Sequence, residues 1–465
     1  MAPYQFIKRE YPAVSEGESR PVWLVAKGAV DAAGLPADVA VWAKNAGFSG
    51  AEGRHLLVPG AGGELAGCLF GTGEAATAHP FAAGKLAAAL PAGLWHLEGS
   101  PNPMHDSLAV ALGGYRFESY KKPGAERGRL ALAEGVDADD LARIASGVDL
   151  ARDLINTPAN DLGPAALENV FRALGSHYGA AISVISGDEL IKQNFPMIHA
   201  VGRAAEDAPR LLEMRWGKAG APKVTLVGKG VCFDTGGLDL KPASSMLLMK
   251  KDMGGAANVL GLALMIMDAG LEVDLRVLVP AVENSVAGNA FRPGDILTSR
   301  KGVSVQIDNT DAEGRLVLGD ALTYACEDKP ELLIDMATLT GAARVALGPD
   351  LPPYYTDDDQ LSADLAGAAS AVADPLWRLP LYQPYESMLD VPAADITNAP
   401  AGGFAGSITA ALFLRRFVEK DIPWCHLDIF GWTPKAQPHA PVGGQAQGIR
   451  ALYQVMKDRY GRNSA

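Results

Sequence analysis

No two of the four cysteines (Cys68, Cys232, Cys326, Cys425) stand close enough to form a CxxC pair, and none of the eight histidines falls at HExxH or HxxxH spacing. The first absence excludes a disulfide framework and a zinc ribbon. The second means that a metal held by this chain depends on carboxylates. Nor does any apolar run reach the roughly 18 to 20 residues of a membrane span. The start, Met1-Ala2-Pro3-Tyr4-Gln5-Phe6-Ile7-Lys8-Arg9-Glu10, lacks the apolar centre and small-residue cleavage site of a secretory leader, so a cytoplasmic location with reduced thiols is expected. Positive charge is also scarce. With 41 Lys and Arg against 54 Asp and Glu, the net charge of −13 argues against partnership with nucleic acid or an anionic membrane.

What remains is an ordinary globular composition, 48% hydrophobic and 20% charged, in a chain of 465 residues that is long for one core. Residues 1–130 are rich in Ala and Gly, with strand candidates at 22–26, 55–58 and 68–71 and a strand or helix at 108–112. They predict a small α/β domain in which no reactive residue types cluster. Residues 131–158 predict a linking helix, because Asp137 can cap it and Leu141, Ile144, Ala145, Val148 and Ile155 draw an apolar stripe. It should end near Asn156, since Pro158 disfavours helical geometry just before it. In residues 159–465 the strand candidates 182–185, 211–216, 224–227, 275–279, 332–335 and 426–429 alternate with helical stretches. The fold class is therefore α/β, with a second, larger domain built on a central mixed sheet flanked by helices.

In such sheets ligands bind beyond the carboxyl ends of the strands. The 224–227 strand leads into Gly228-Lys229-Gly230 and on to Phe233-Asp234-Thr235-Gly236-Gly237. The 332–336 run leads into Ala337-Thr338-Leu339-Thr340-Gly341. Between a strand-like and a helix-like stretch lies Asn309-Thr310-Asp311-Ala312-Glu313-Gly314-Arg315-Leu316, where Gly314 suits a tight turn close to a ligand. Lys229, Asp234, Lys241, Asp252, Asp311, Glu313 and Arg315 can thus meet at one rim. Four carboxylates there would repel one another, and two divalent ions would neutralise them. Blander readings exist for single residues: Lys229 as a solvated lysine, Arg315 paired with Asp311 in a structural ion pair, Cys232 as a core filler and His426 as a satisfied core histidine.

Taken together, Val227-Gly228-Lys229-Gly230, Phe233-Asp234-Thr235-Gly236-Gly237 and Asn309 to Leu316 resemble the leucine (cytosol) aminopeptidase family of dinuclear metallopeptidases. The resemblance covers about residues 150–450 and implies that residues 159–465 form the catalytic domain. It makes Lys229, Asp234, Asp252, Asp311 and Glu313 metal ligands, with Asp234 and Glu313 bridging two divalent ions, zinc or manganese foremost. It makes Lys241 the catalytic lysine and has Arg315, aided by backbone at Leu339, hold a bicarbonate ion as general base. Met249 and Thr338 would line the pocket for the first side chain, favouring leucine-like residues of peptide substrates. A homo-hexamer is also implied. Two departures stand out: Thr235 occupies a position where serine is usual, and the N-terminal domain is short; neither removes a ligand. The alternatives from other classes are a DNA-binding or architectural protein and an inactive peptide-binding relative, the latter requiring a missing ligand that the sequence does not lack.

Overall fold

The computed structural model describes residues 19–461, so the Met1–Glu10 start lies outside the described residues. The chain forms two compact units, one of residues 19–149 with Thr433–Val442, the other of Leu150–Trp432 with the chain from Gly443 onward. In the first unit, strand Arg20–Ala26 pairs in parallel with Leu65–Gly73 on one side and Gly93–Glu98 on the other. His55–Pro59 joins one edge antiparallel and Gly128–Leu130 the other edge in parallel, completing a five-stranded sheet. Trp23, Val25, Val39, Phe48 and Leu69 pack a core against it. Residues 108–112, open between strand and helix in the sequence, lie in the helix Pro103–Gly113. Its start decides the matter: Pro103 suits the first turn and the Asn102 side chain accepts from the His105 amide at 3.2 Å.

The helix Ala138–Asn156 carries the chain from the first unit into the second. Asp137 accepts from the Asp140 amide at 2.9 Å, and Leu141, Ala145, Val148 and Ile155 are buried. The second unit is organised by a nine-stranded mixed sheet. Its centre is four parallel strands in the order Trp424–Asp428, Leu332–Ala337, Lys223–Gly228 and Asp274–Asn284. Arg210–Gly217 and Ala181–Ser186 continue it antiparallel on one side, and Pro353–Tyr355 runs antiparallel to Trp424–Asp428 on the other. Strands buried on both faces are dominated by apolar residues, and Val224, Leu226, Val227, Leu332, Leu333 and Ile334 have no exposed surface. Helix Gly254–Ala269 is buried from Gly254 through Met267, and helix Glu313–Cys326 seats Leu316, Leu318, Ala321, Leu322 and Ala325 in the core. The parallel strands all deliver their carboxyl ends to the same edge.

Two of them also hold a buried polar pair. His426 Nδ1 lies 2.6 Å from Asp335 Oδ1, and Trp424 Nε1 donates to Asp335 Oδ2 at 2.7 Å, all three side chains in the interior. Burial alone would lower the His426 pKa, but the Asp335 carboxylate outweighs it and raises the imidazole above its ordinary value. A raised folded-state value means that the stabilisation is complete below the unfolded histidine value, about 6.5, and is lost as pH rises through the folded one. Asp335→Asn should therefore lower stability most at acidic pH, by roughly 3 kcal/mol, the cost of stranding one member of a buried ion pair. Apparent melting temperatures of both proteins between pH 5.5 and 9.5 check this. The gap should narrow as pH rises; a gap that widened with pH would show that the pair is not ionised.

Candidate metal centre

Each acidic side chain of interest reaches the carboxyl edge by a separate route. Asp234 ends the strand Gly230–Asp234, which runs parallel to Asp274–Asn284. Asp252 follows the short 3-10 turn Met249–Lys251, directly before the buried helix Gly254–Ala269. Glu313 is the first residue of its helix, and Asp311 lies in the turn leading into it. Gly314 is in that helix rather than in a turn, and its glycine has a different cause. A Cβ there would stand 2.7 Å from Lys229 Cε and 2.8 Å from Nζ, so only the absent side chain lets Lys229 pass.

Among the described residues, Asp234, Asp252 and Glu313 each offer an oxygen lying within 4.8 Å of the others, and all three are buried. Lys229 Nζ sits 2.6 Å from Asp252 Oδ2 and 2.8 Å from Glu313 Oε1, and donates to the Thr338 carbonyl at 3.2 Å. Lys241 Nζ lies 2.9 Å from Asp234 Oδ2 and also pairs with Asp311. The other oxygen of Asp234 accepts from the Gly236 amide and from Asn284 Nδ2, each at 2.8 Å. Asp252 Oδ1 accepts from the Thr338 hydroxyl at 2.8 Å. Glu313 Oε2 is buried and has no hydrogen-bond partner among the described residues. A bare buried carboxylate oxygen costs several kcal/mol unless something positive meets it.

Four carboxylates face two ammonium groups here, and the imbalance is visible in their proton affinities. Burial, reinforced by the charge of Asp234, pushes Glu313 up to about 8 against the pull of Lys229. The same two causes push Asp311 up to about 6 against Lys241. Burial lowers Lys229 and Lys241, but the surrounding carboxylates outweigh it and hold both above the ordinary lysine value. Asp252, which burial alone would raise, is held below its ordinary value by Lys229. A buried cluster in which carboxylates outnumber ammonium groups has the donor set and charge deficit that suit divalent cations.

The remaining residues singled out by sequence line one cavity of about 570 Å³, which includes Lys229, Asp234, Lys241, Met249, Asp252, Asp311, Arg315, Thr338 and Leu339. Glu313 is beneath that lining rather than on it, joined through Lys229. Arg315 makes no ion pair with Asp311. Its guanidinium is half-buried and donates to the Asn398 carbonyl, and burial pushes it down to about 10, so it stays cationic. The Leu339 amide already donates to Asp428 Oδ1 at 3.1 Å. Thr235 uses its hydroxyl on the Asn284 carbonyl at 2.9 Å, a bond that serine could also make. Cys232 is buried, and burial raises its thiol well above the ordinary value, which fits a filler and not a nucleophile.

Several contributors carry no signature in the sequence. Asn284 holds Asp234 and the Thr310 carbonyl; Asn398 accepts from the Asp308 amide at 2.9 Å and donates to the Asn309 carbonyl at 2.7 Å. Asp428 accepts from the Leu339 and Thr340 amides and from the Thr340 and Ser407 hydroxyls. Asn284 and Asp428 both end parallel strands, so the strand-end rule that located Lys229 and Thr338 reaches them too.

Residues 149–453 match the model of the cytosol aminopeptidase family, catalytic domain, and residues 21–133 that of the M17 aminopeptidase N-terminal domain. A probable cytosol aminopeptidase of Roseiflexus castenholzii is 45% identical over 365 residues, covering 75% of this chain and 74% of the relative. One of Rhizobium meliloti is 41% identical over 375 residues, with 76% and 74% covered. Among solved structures, the cytosol aminopeptidase of Coxiella burnetii superposes with a TM-score of 0.92 at 41% identity, covering 97% of this chain and 99% of that one. The bottromycin maturation enzyme BotP in complex with Mn gives 0.86 at 32% identity, with 95% and 100% covered. Among the described residues no helix is long and apolar enough to cross a membrane.

Proposed function

Since the chain belongs to the cytosol aminopeptidase family and is an aminopeptidase, a metal-dependent hydrolase, we propose that it works with two divalent ions held by Lys229, Asp234, Asp252, Asp311 and Glu313. The observation that carries this is the buried acidic cluster, in which, among the described residues, one Glu313 oxygen has no hydrogen-bond partner. When bound, the ions supply Lewis acidity and acidify a water for attack on the N-terminal peptide bond. Zinc or manganese suits such carboxylates, and the manganese in the BotP structure supports the second. For Lys229 to act as a ligand its ammonium must give up a proton, which only added positive charge in place of its two carboxylate partners would allow.

The chain's own groups divide the remaining work. Lys241, on the cavity wall, keeps its proton and donates to the carbonyl oxygen as negative charge grows there. Arg315 stays cationic in the same cavity and would hold a bicarbonate ion, which would supply a general base. With the Leu339 amide engaged by Asp428, that ion depends chiefly on Arg315. Met249 and Thr338 line the part of the cavity that takes the first side chain of a peptide, where the family resemblance implies leucine-like residues. The test is hydrolysis of aminoacyl-arylamides by metal-stripped protein reloaded with Zn, Mn, Co or Mg. Rates that return with one or more of these ions support the proposal, and full rates without any ion refute it.

The working form is a homo-hexamer in this reading. Exposed aromatics such as Tyr382 and Tyr385, whose rings meet edge to face at 4.8 Å, suit burial between copies. Light scattering at micromolar concentration should give about six chain masses. A single chain of 48.6 kDa would contradict it.

A further inference from the structure

Two adjacent lysines, of which only the second lines the cavity, are treated very differently. Lys250 Nζ donates to the Asn156 carbonyl at 2.6 Å and lies over the Trp432 ring. Lys251 is 5% exposed and lines the cavity, yet its ammonium makes no hydrogen bond or ion pair among the described residues. Its one close partner is an aromatic face: Nζ stands 4.8 Å from the centre of the Phe430 ring. Arg344, from the helix Gly341–Leu347, places its guanidinium over the same ring at 4.8 Å, and that guanidinium too makes no ion pair or hydrogen bond among the described residues. The two cations are therefore no more than twice that distance apart. The carboxylates nearby are committed elsewhere, Asp252 to Lys229 and Thr338, and Asp428 to four donors. A buried ammonium without a counter-charge is costly, and a cation–π contact returns only part of that cost.

Lys251, Phe430 and Arg344 share the cavity with Met249 and Thr338. Lys251 directly precedes Asp252, whose carboxylate takes the Thr338 hydroxyl, so this wall belongs to the pocket for the first side chain. We propose that the pocket takes an acidic N-terminal residue, aspartate or glutamate, its side-chain carboxylate bound by Lys251 and Arg344 over the Phe430 ring. Met249 and the Phe430 face supply apolar walls for the methylene groups, and the two cations supply the end that a leucine side chain leaves unused. The inference rests on the aminopeptidase reading and assigns a substrate class to the same site.

The test compares kcat/KM for Glu-, Gln- and Leu-arylamides on the metal-loaded enzyme, glutamine being the neutral isostere. Glu should exceed Gln by tenfold or more, and Lys251→Met and Arg344→Ala should each cut that ratio several-fold. A Glu/Gln ratio of one or less, or a ratio unmoved by both variants, would overturn the proposal. So would variants that slow Leu-Gly relative to Leu-Gly-amide while sparing the Glu/Gln ratio, since the cations would then read a C-terminal carboxylate. If no arylamide is cleaved, the aminopeptidase reading is what fails. Calorimetry then decides the pocket: tighter binding of glutamate than glutamine, weakened by Lys251→Met, sustains it, and equal binding ends it. Arg344 is exposed, so its variant should fold even if Lys251→Met does not.

Discussion

Glu313→Ala should abolish nearly all activity, by a thousandfold or more on the scale of losing a metal from a two-metal site, and should leave the protein with at most one tightly bound ion. The reason lies in where Glu313 stands. It opens the helix Glu313–Cys326 at the bottom of the acidic cluster, one oxygen on Lys229 and the other without a partner. The family resemblance gives it to both ions, so its loss affects both. The fold should survive, because the side chain contributes nothing to the apolar face that Leu316, Leu318 and Leu322 bury. Removing a buried carboxylate with an unmet oxygen should even raise the stability of the metal-free protein slightly. Metal content by mass spectrometry, the arylamidase rate and the melting temperature check the three parts. Two bound ions with full activity would refute the assignment of Glu313.

The second large effect separates the two lysines. Lys241→Ala should retain two ions but lose kcat by roughly a hundredfold or more, as removal of a single oxyanion donor does. Lys229→Ala should instead weaken metal binding, and excess metal should restore part of its rate. The structure gives them different settings. Lys229 is sealed in, 3% exposed, between Asp252 and Glu313, whereas Lys241 is 13% exposed and faces the cavity from between Asp234 and Asp311. If both variants lose metal equally, or if Lys241→Ala changes only KM, Lys241 is not a transition-state donor.

Much of the second unit was legible because its central strands are buried on both faces. Runs such as Val224 to Val227 and Leu332 to Met336 can only be interior strands or buried helix, and their length and glycine-rich exits decide for strands. The same exits pointed to Lys229, Asp234, Thr338 and Leu339. The strand Gly230–Asp234 itself went unread, because a five-residue segment bounded by glycines looks like a loop until Asp274–Asn284 pairs with it. By sequence alone Gly314 suits a turn, since nothing local reveals that a lysine from residue 229 must pass its Cα. Asn398 and Asp428 escaped notice for a related reason. Most of their partners lie 83 to 90 residues away, and an asparagine in a loop has no periodicity to betray it. Thr433–Val442 likewise joins the first unit although its sequence neighbours belong to the second. The N-terminal third, which supplied none of the motifs behind the resemblance, matches the family's N-terminal domain over residues 21–133.

In this reading the carboxylate cluster holds two ions and the reaction needs both. The most direct test is a stepwise titration of metal-stripped protein with manganese or zinc, following bound metal and the arylamidase rate in the same samples. Two equivalents per chain should bind, with full activity only when the second is bound and with Glu313→Ala failing to reach it. Saturation of the rate at one equivalent, or a metal-free enzyme as fast as the loaded one, would contradict it.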